Sequence, residues 1–398
     1  MLVTTLSHIK NTPLLYASNA LFRGFLQEEQ IKRELLNYQA IARQKGIHPL
    51  NIDELRSMLQ KRMQAKKKKN IAKEKGSLRI FLIYELFNWE RVLPLALKEF
   101  GQVVEFEFRS SGFNTTSKAW RRQRKDMNSA IRDYFFKINL EKSIDIVVCY
   151  LSGRSVDKKV LMDICSNVPA MINFSWDDKL HYRGERIDGQ WSGPAALADA
   201  VDLNLTNAPE SCIKYAVDGG LAMFWPEAAS VEIHKPQDVY FEFDVSFIGK
   251  RYGWRPELVK TLNRSGIKVK CFGDGWENKA LSQEEMVRLY SRSRINLGFS
   301  GVGYAKNVKC LKGRDFEVPM NGGLYLTQEN PELNLVYEVG REIVVYRDAR
   351  DCVDKIKWLL NNPDEAEKIR EAGRERALKD HTWEKRFSDV FRLLGVMN

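Results

Sequence analysis

The sequence has few cysteines, few histidines and no long apolar run, and each shortage argues against a class of protein. The six cysteines, Cys149, Cys165, Cys212, Cys271, Cys310 and Cys352, include no C-x-x-C pair. This spacing argues against a disulfide framework and a zinc site, and it favours reduced thiols in a cytoplasmic protein. No stretch has the apolar length that crosses a bilayer, and the first ten residues are too polar for a signal peptide. The motifs H-E-x-x-H and G-x-S-x-G are also absent.

What the sequence has in excess is positive charge at one end. The formal net charge is +11, and residues 1–79 carry 16 Lys and Arg against 6 Asp and Glu. The remaining 319 residues carry 47 basic and 46 acidic side chains, so they are close to neutral. The overall basicity therefore says little about the function of the main part of the chain.

Residues 1–77 are predicted to form a basic helical extension, with helices over 14–45 and 51–75. Apolar side chains between Leu26 and Ile41 form a stripe that needs a packing partner, and Lys66–Lys69 is a run of four cations. These features leave nucleic acid, a protein partner or an anionic membrane surface as interpretations. Few aromatic residues lie among the cations, which ranks nucleic acid below the other two. Any membrane contact is expected to be peripheral, because no stretch has the length that crosses a bilayer.

From Leu78 onward, short apolar strands alternate with helices, first up to residue 174 and again after Pro226. Such alternation implies parallel sheets that are covered on both faces. The pattern predicts an α/β fold of two Rossmann-like domains, over 78–230 and 231–380, that face each other across a cleft. A helix over 381–398 is expected to pack back on the first domain. Ligands of such sheets bind beyond the carboxyl ends of the strands.

The loop that follows the predicted strand 244–249 is a candidate anion site. Gly249 ends this strand, and Lys250 and Arg255 are among the cations that follow it. Glycine lets a phosphate approach the backbone, and the cations supply charge-assisted hydrogen bonds. A solvated basic turn explains the same residues equally well. After the next strand, Gly273 and Trp276 offer a loop with a ring that could lie against a nucleobase, although a Trp packed in the core is the simpler interpretation.

The segment 309–323 is the most informative part of the sequence. Arg314 and Glu317 are three residues apart on a short predicted helix, so both can face one side. Glu317 could accept hydrogen bonds from a ribose diol, while Arg314 and Lys309 could meet a diphosphate beside the helix N-terminus. We include Gly322 and Gly323, which end the segment, in the same donor site. A surface Arg–Glu pair is the alternative interpretation.

Three polar residues follow the predicted strand that ends at residue 174, the last strand of the first strand–helix alternation. They are Asp177, Asp178 and His181, and they form the candidate catalytic group. Paired carboxylates and a histidine could act as a general base toward an acceptor hydroxyl, or bind a divalent metal. An Asp-rich turn in which the carboxylates cap the backbone is an equally good interpretation.

Together these motifs resemble GT-B glycosyltransferases of group 1, in particular the branch of the CgeB-like spore maturation proteins. The resemblance covers about four-fifths of the chain and leaves the basic extension out. It is carried by Phe247-Ile-Gly-Lys with Arg255, Val269–Trp276, Asn296-Leu-Gly-Phe299, Lys312–Gly323, Gly340–Tyr346 and His381-Thr-Trp383, together with Ser175–Asp178 and Trp225-Pro226.

The resemblance implies that the C-terminal domain binds a nucleotide-sugar donor, with UDP favoured, and that the N-terminal domain binds the acceptor. Glu317 matches the glutamate that holds the donor ribose, and Gly249, Lys250 and Arg255 match the phosphate-binding loop. Since cations stabilise the leaving diphosphate in this family, the resemblance implies no metal site and no cofactor.

Lys309 departs from the family pattern, because many retaining relatives carry a glutamate there, eight positions before the one that matches Glu317. The sequence therefore leaves the stereochemistry of the reaction open. The expected activity is transfer of a hexose-like sugar to a hydroxyl of a glycan or another cell-surface precursor. The alternative is a nucleic-acid-associated protein, such as a DNA-modifying glycosyltransferase, that uses the basic extension.

Overall fold

The computed structural model describes residues 13–66, 71–87 and 89–398, and the chain divides into two compact units. The first, called here the 34–226 unit, comprises Glu34–Pro226 and Trp383–Asn398. The second, called the 227–382 unit, comprises Glu227–Thr382 and the chain up to Arg33. The long helix α1 (Pro13–Lys45) contributes its first part to the 227–382 unit and its last part to the 34–226 unit.

The 34–226 unit contains one sheet of parallel strands in the order β2-β1-β3-β4-β7-β8. Every residue of its strand Leu78–Tyr84 is buried, as expected for a strand that is covered on both faces. The elements are α2 (Ile52–Gln64), β1 (Leu78–Tyr84), α3 (Val92–Lys98), β2 (Gly101–Glu107), α4 (Trp120–Glu141), β3 (Ile146–Cys149), α5 (Lys158–Ser166), β4 (Ala170–Ser175), α6 (Asp178–His181), the short pair β5 (Arg186–Ile187) and β6 (Gln190–Trp191), β7 (Leu203–Thr206), α7 (Cys212–Val217) and β8 (Ala222–Phe224).

The core of this unit forms where amphipathic helices cover the sheet. Met127, Ile131 and Phe135 recur at a spacing of four residues on α4 and are fully buried. The C-terminal helix α13 (Trp383–Leu393) belongs to the same unit, where the ring of Phe391 packs 5.0 Å from that of Phe100.

The 227–382 unit contains a second parallel sheet, in the order β10-β9-β11-β14-β15. This order is that of a doubly wound fold: successive strands are added on one side of β9 and then, from β11 onward, on its other side, and ligands of such sheets bind at this reversal point between β9 and β11. The elements are β9 (Phe243–Ile248), α8 (Arg255–Arg264), β10 (Val269–Phe272), α9 (Gln283–Arg292), β11 (Ser293–Leu297), the hairpin strands β12 (Gly301–Val302) and β13 (Ala305–Lys309), α10 (Gly313–Met320), β14 (Tyr325–Gln328), β15 (Val344–Tyr346), α11 (Ala349–Asn361) and α12 (Pro363–Asp380).

The structure corrects two expectations for the basic extension. The apolar stripe of α1 is partly covered by the protein itself, since Tyr38 is fully buried and Ile31 nearly so. The second helix ends at Gln64, well before residue 75, and Lys66 is buried in an ion pair with Asp202 at 2.5 Å. Lys66 is therefore unavailable to a phosphate backbone, and Lys67–Lys69 lie outside the described residues.

Candidate functional site

The candidate donor residues of the 227–382 unit meet where β9 ends, at the reversal point of the sheet. Gly249 follows β9 with a φ of +153°, and a Cβ on it would lie 2.8 Å from the ring of Phe247. Gly273 follows the neighbouring strand β10, and a Cβ there would lie 2.6 Å from the carbonyl oxygen of Gly249. Gly249 is required because the Phe247 ring fills the space beside it, and Gly273 is required because the two loops approach each other closely.

Two guanidinium groups, those of Arg255 and Arg314, lie against the ring of Phe247; we call them the guanidinium pair. Arg255 is the first residue of α8 and is 6% exposed, with its guanidinium carbon 5.6 Å from the Phe247 ring centroid. Arg314, in the first turn of α10, lies 5.7 Å from the same centroid. Among the described residues, no carboxylate is within ion-pair distance of either group, and the buried Nε of Arg314 has no hydrogen-bond partner.

The environment changes the pKa of both arginines. Burial lowers the pKa of Arg255 to about 10, and the charge of Arg314 adds to this effect. Burial would also lower the pKa of Arg314, but the oxygens of Tyr325, Tyr290 and Glu317 raise it. Two like charges near each other in a buried position are unfavourable, and a bound anion would compensate for them.

Glu317 lies one turn after Arg314 on α10 and is half-buried. Its Oε2 accepts a hydrogen bond of 3.1 Å from the hydroxyl of Tyr290. A Cβ at Gly313 would lie only 3.1 Å from its Oε1, so the glycine makes room for the carboxylate. Glu317 is thus fixed by Tyr290, and its charge is one of those that raise the pKa of Arg314.

Trp276 and Lys250 border the same loops. The indole N–H of Trp276 donates to the carbonyl oxygen of Gly249 at 2.9 Å, and its ring packs edge-on against Phe247. The indole therefore fixes the loop by packing inside the unit, which is the simpler of the two interpretations given for Trp276 above. Lys250 is exposed, with its Nζ 3.4 Å from the carboxylate of Asp274.

Three further predicted donor residues are Lys309, Gly322 and Gly323. Lys309 ends β13, its Nζ donates to the carbonyl oxygen of Lys306 at 2.5 Å, and burial and Lys306 lower its pKa to about 8. Gly322 and Gly323 follow the C-terminal end of α10, whereas Arg314 lies at its N-terminal end. A helix as long as α10 spans about 12 Å between its two ends. A Cβ at Gly323 would lie 2.8 Å from Asn296, which indicates a packing role.

The candidate catalytic residues of the 34–226 unit differ in exposure. Asp177 and His181 are exposed, and the carbonyl oxygen of Asp177 accepts from the amide of His181 at 2.8 Å. Asp178 is fully buried and accepts from the hydroxyl of Tyr215 at 2.9 Å, and burial raises its pKa to about 6. In this arrangement Asp178 has no access to an acceptor, so the predicted trio reduces to Asp177 and His181.

The described residues contain no group of three or more His, Cys, Asp or Glu side chains that could hold a metal ion. Within the same part of the chain, no helix combines the length and apolar character needed to cross a membrane. A cavity of about 400 Å³ lies in the 227–382 unit between α1 and α8, and the described residues that line it include Gly253 and Trp254 but not the guanidinium pair.

Sequence reasoning missed the aromatic residues that organise the site. Phe247 supports both arginines, Tyr252 lies 4.2 Å from the guanidinium carbon of Arg255, and Tyr290 binds Glu317. A buried strand residue such as Phe247 gives no local sign that cations from two distant helices pack on it.

The comparisons with known proteins bear on the family and on the fold. Residues 255–392 match the family described as glycosyl transferase-like, a range that begins at Arg255 and includes Arg314 and Glu317. No curated protein matches the sequence.

Solved structures with a similar fold have low sequence identity. Sucrose-phosphate synthase from Thermosynechococcus elongatus superposes with a TM-score of 0.58 at 13% identity, covering 80% of this chain and 99% of that one. Anabaena HepE in complex with UDP and glucose superposes with a TM-score of 0.51 at 10% identity, covering 81% of this chain and 100% of that one. An alpha-glucosyltransferase in complex with UDP-glucose and DNA containing an abasic site superposes with a TM-score of 0.51 at 11% identity, covering 80% of this chain and 100% of that one. The fold is therefore α/β of the GT-B type, with two Rossmann-like domains.

Proposed function

We propose that this chain, whose residues 255–392 match a glycosyl transferase-like family and whose fold is of the GT-B type, binds a nucleoside diphosphate sugar at the guanidinium pair and transfers the sugar to an acceptor hydroxyl. One observation carries this proposal. Arg255 and Arg314 share the ring of Phe247, lack a carboxylate partner among the described residues, and lie where β9 ends. A diphosphate would supply the missing negative charge at the reversal point of the sheet.

In this proposal each donor residue has a distinct task. The guanidinium pair binds the diphosphate and stabilises the charge that develops on it as the sugar departs, a role that needs no metal or other cofactor. Glu317, fixed by Tyr290, accepts hydrogen bonds from the ribose hydroxyls. The loop from Gly249 to Trp254, with Lys250, lies at the N-terminus of α8, whose dipole favours an anion. We favour UDP as the nucleotide, since HepE was solved with UDP.

On the acceptor side, we propose that Asp177 and His181 receive the proton of the attacking hydroxyl. Both are exposed beyond the carboxyl end of β4, and both types of side chain can act as a general base. The buried Asp178 then stabilises the turn through its hydrogen bond from Tyr215. We further propose that the acceptor is a glycan or cell-surface precursor, that the protein acts in the cytoplasm and that it belongs to the CgeB-like branch.

The donor assignment is tested by thermal stabilisation, since a ligand that binds the native state raises the melting temperature. We expect UDP and UDP-sugars to stabilise the wild-type protein, and Glu317→Gln and Arg255→Gln to lose most of this stabilisation together with turnover. Glu338→Gln is the control, because Glu338 is an exposed residue of the same unit that pairs with Arg341. Unchanged stabilisation and turnover in both site variants would refute the assignment.

A specific observation also favours contact with an anionic membrane surface. Four large apolar side chains of α1 are between 51% and 70% exposed, and they are Leu21, Phe22, Phe25 and Leu26. An exposed apolar stripe on a basic helix is typical of segments that lie in the lipid headgroup region. We expect the wild-type chain to sediment with anionic vesicles and Phe22→Ser/Phe25→Ser to lose this binding, whereas retention by both proteins on DNA would favour nucleic acid instead.

A further inference from the structure

The last third of α1 enters the 34–226 unit, and the proposed function gives it no task. Tyr38 is fully buried there, and its ring packs edge-on against that of Tyr182 at 5.4 Å. Glu34, one turn earlier, is half-buried. Tyr38 contacts residues just beyond the C-terminal end of the short helix α6 (Asp178–His181), and Glu34 is linked to its N-terminal end through Lys214. This helix carries His181 and directly follows Asp177.

The first contact is centred on the hydroxyl of Tyr38. This hydroxyl donates to the carboxylate of Asp218 at 2.7 Å and accepts from Nε of Arg183 at 2.8 Å. The guanidinium of Arg183 also lies 4.6 Å from the Tyr38 ring centroid. Arg183 stands two residues after His181, so Tyr38 holds the chain just beyond the C-terminal end of α6.

The second contact runs from Glu34 through Lys214. Nζ of Lys214 donates to the Glu34 carboxylate at 2.9 Å and to the main-chain carbonyl oxygen of Asp178 at 2.9 Å. Lys214 is 1% exposed, and a buried ammonium is stable only when its donors are paired. Glu34 therefore keeps Lys214 in place, and Lys214 holds the N-terminal end of α6.

Helix α6 needs such support because it is a single turn of four residues. A first turn fixes several backbone dihedral angles for very few hydrogen bonds and is unfavourable without tertiary contacts. Its own bonds here are those from the amides of Leu180 and His181 to the carbonyl oxygen of Asp177, at 3.0 and 2.8 Å.

We propose that Glu34 and Tyr38 are positioning residues that fix α6 and thereby the direction of His181. The inference rests on the proposed function for the role of His181, but the geometric claim is independent of turnover. The part of the N-terminal extension that contains them is then an internal support of the acceptor-side turn rather than a docking arm.

The test removes one atom from Tyr38 and compares it with a matched control. Tyr38→Phe deletes the hydroxyl between Arg183 and Asp218. Tyr84→Phe deletes a hydroxyl from another buried tyrosine of the same unit, which donates to Glu105 at 2.8 Å. Glu105 lies on the edge strand β2, and β1 and β3 stand between β2 and β4, the strand that α6 follows, so this control bond is on another part of the sheet.

In transfer assays we expect Tyr38→Phe to lower kcat/KM for the acceptor at least tenfold while leaving stabilisation by the nucleotide donor unchanged. Tyr84→Phe should retain wild-type kcat/KM. If Tyr38→Phe fails to fold, Glu34→Gln is the substitute, because Glu34 is more exposed. Equal kinetics for wild type and the Tyr38 or Glu34 variant would overturn the positioning role.

A second readout separates this inference from the proposed function. Amide exchange followed by mass spectrometry should accelerate at least tenfold over residues 177–183 in Tyr38→Phe and stay unchanged in Tyr84→Phe. Unchanged exchange over this segment would refute the inference even if the enzyme is active. If the wild type shows no sugar transfer with any donor, the proposed function fails, and the exchange data alone decide whether Tyr38 holds α6.

Discussion

At the scale of single residues, buried polar groups carry the testable consequences of this structure. Asp178 illustrates the point. Burial raises its pKa from 3.8 to about 6, so between these values the native state binds a proton that the unfolded state has released. Stability therefore falls as the pH rises through this window, by about 1.4 kcal/mol per unit of pKa difference, or about 3 kcal/mol in all.

We expect Asp178→Asn to lose this pH dependence, because an amide does not ionise. Relative to the wild type, the variant should gain up to about 3 kcal/mol between pH 4 and pH 7.5. Urea unfolding of both proteins at the two pH values measures the difference, with Asp177→Asn as the exposed control. Parallel pH dependences for Asp178→Asn and the wild type would contradict the burial of an ionisable carboxyl.

Gly249 permits a second residue-scale prediction. Both Gly249 and Gly266 have φ in the left-handed region, so an alanine is strained at each position. Only at Gly249 would the Cβ meet another group, the Phe247 ring at 2.8 Å, whereas nothing lies within 4 Å at Gly266. We expect Gly249→Ala to abolish stabilisation by UDP, and Gly266→Ala to lower the melting temperature without changing the response to UDP.

At the scale of elements, α1 and the hairpin β12–β13 show how a helix can be fixed by contacts that its sequence does not reveal. Within the 227–382 unit, Gln27 accepts from the amide of Tyr304 at 2.7 Å, and Glu28 accepts from the amide of Asn307 at 2.8 Å. Gly24 allows this approach, because a Cβ there would lie 2.6 Å from the carbonyl oxygen of Tyr304.

The sign of the effect of Gly24→Ala tests this packing. Alanine favours a helix over glycine by about 1 kcal/mol, so a helix that projects into solvent should be stabilised. We expect the opposite, a lower melting temperature, because a backbone carbonyl cannot move away cheaply. Differential scanning calorimetry gives the comparison, with Gln30→Ala on the exposed face as the control. A higher melting temperature for Gly24→Ala would show that α1 does not pack on the hairpin.

At the scale of the whole molecule, thiol reactivity reports on both units at once. Five of the six cysteines are buried, and Cys212 is partly so. Burial raises the pKa of Cys165, Cys212, Cys271 and Cys352 to about 12 and raises that of Cys149 well above its usual value, which removes the reactive thiolate of these five side chains. We expect native protein to react with fewer than one equivalent of Ellman's reagent during the time in which urea-unfolded protein reacts with six.

Much of this molecule was determined by local sequence. The alternation of apolar strands and helices specified two α/β series, because burial on both faces requires apolar strands and each crossover requires a helix. Two local patterns predicted the donor-binding residues: a glycine followed by cations at Gly249, and Arg314 one helical turn before Glu317. Both patterns could be identified because they involve only residues that are close in sequence. The resemblance of these motifs to a known family then implied the GT-B fold and sugar transfer.

Only the tertiary structure decided which of these residues lie together. The packing of Arg255 and Arg314 on Phe247 joins elements that are distant in sequence, and the length of α10 separates Gly322 and Gly323 from Arg314. It also buried Asp178 beneath an exposed His181 and placed Tyr38 of the extension against Arg183. Such contacts follow from how sheets and helices pack, and no local periodicity encodes them.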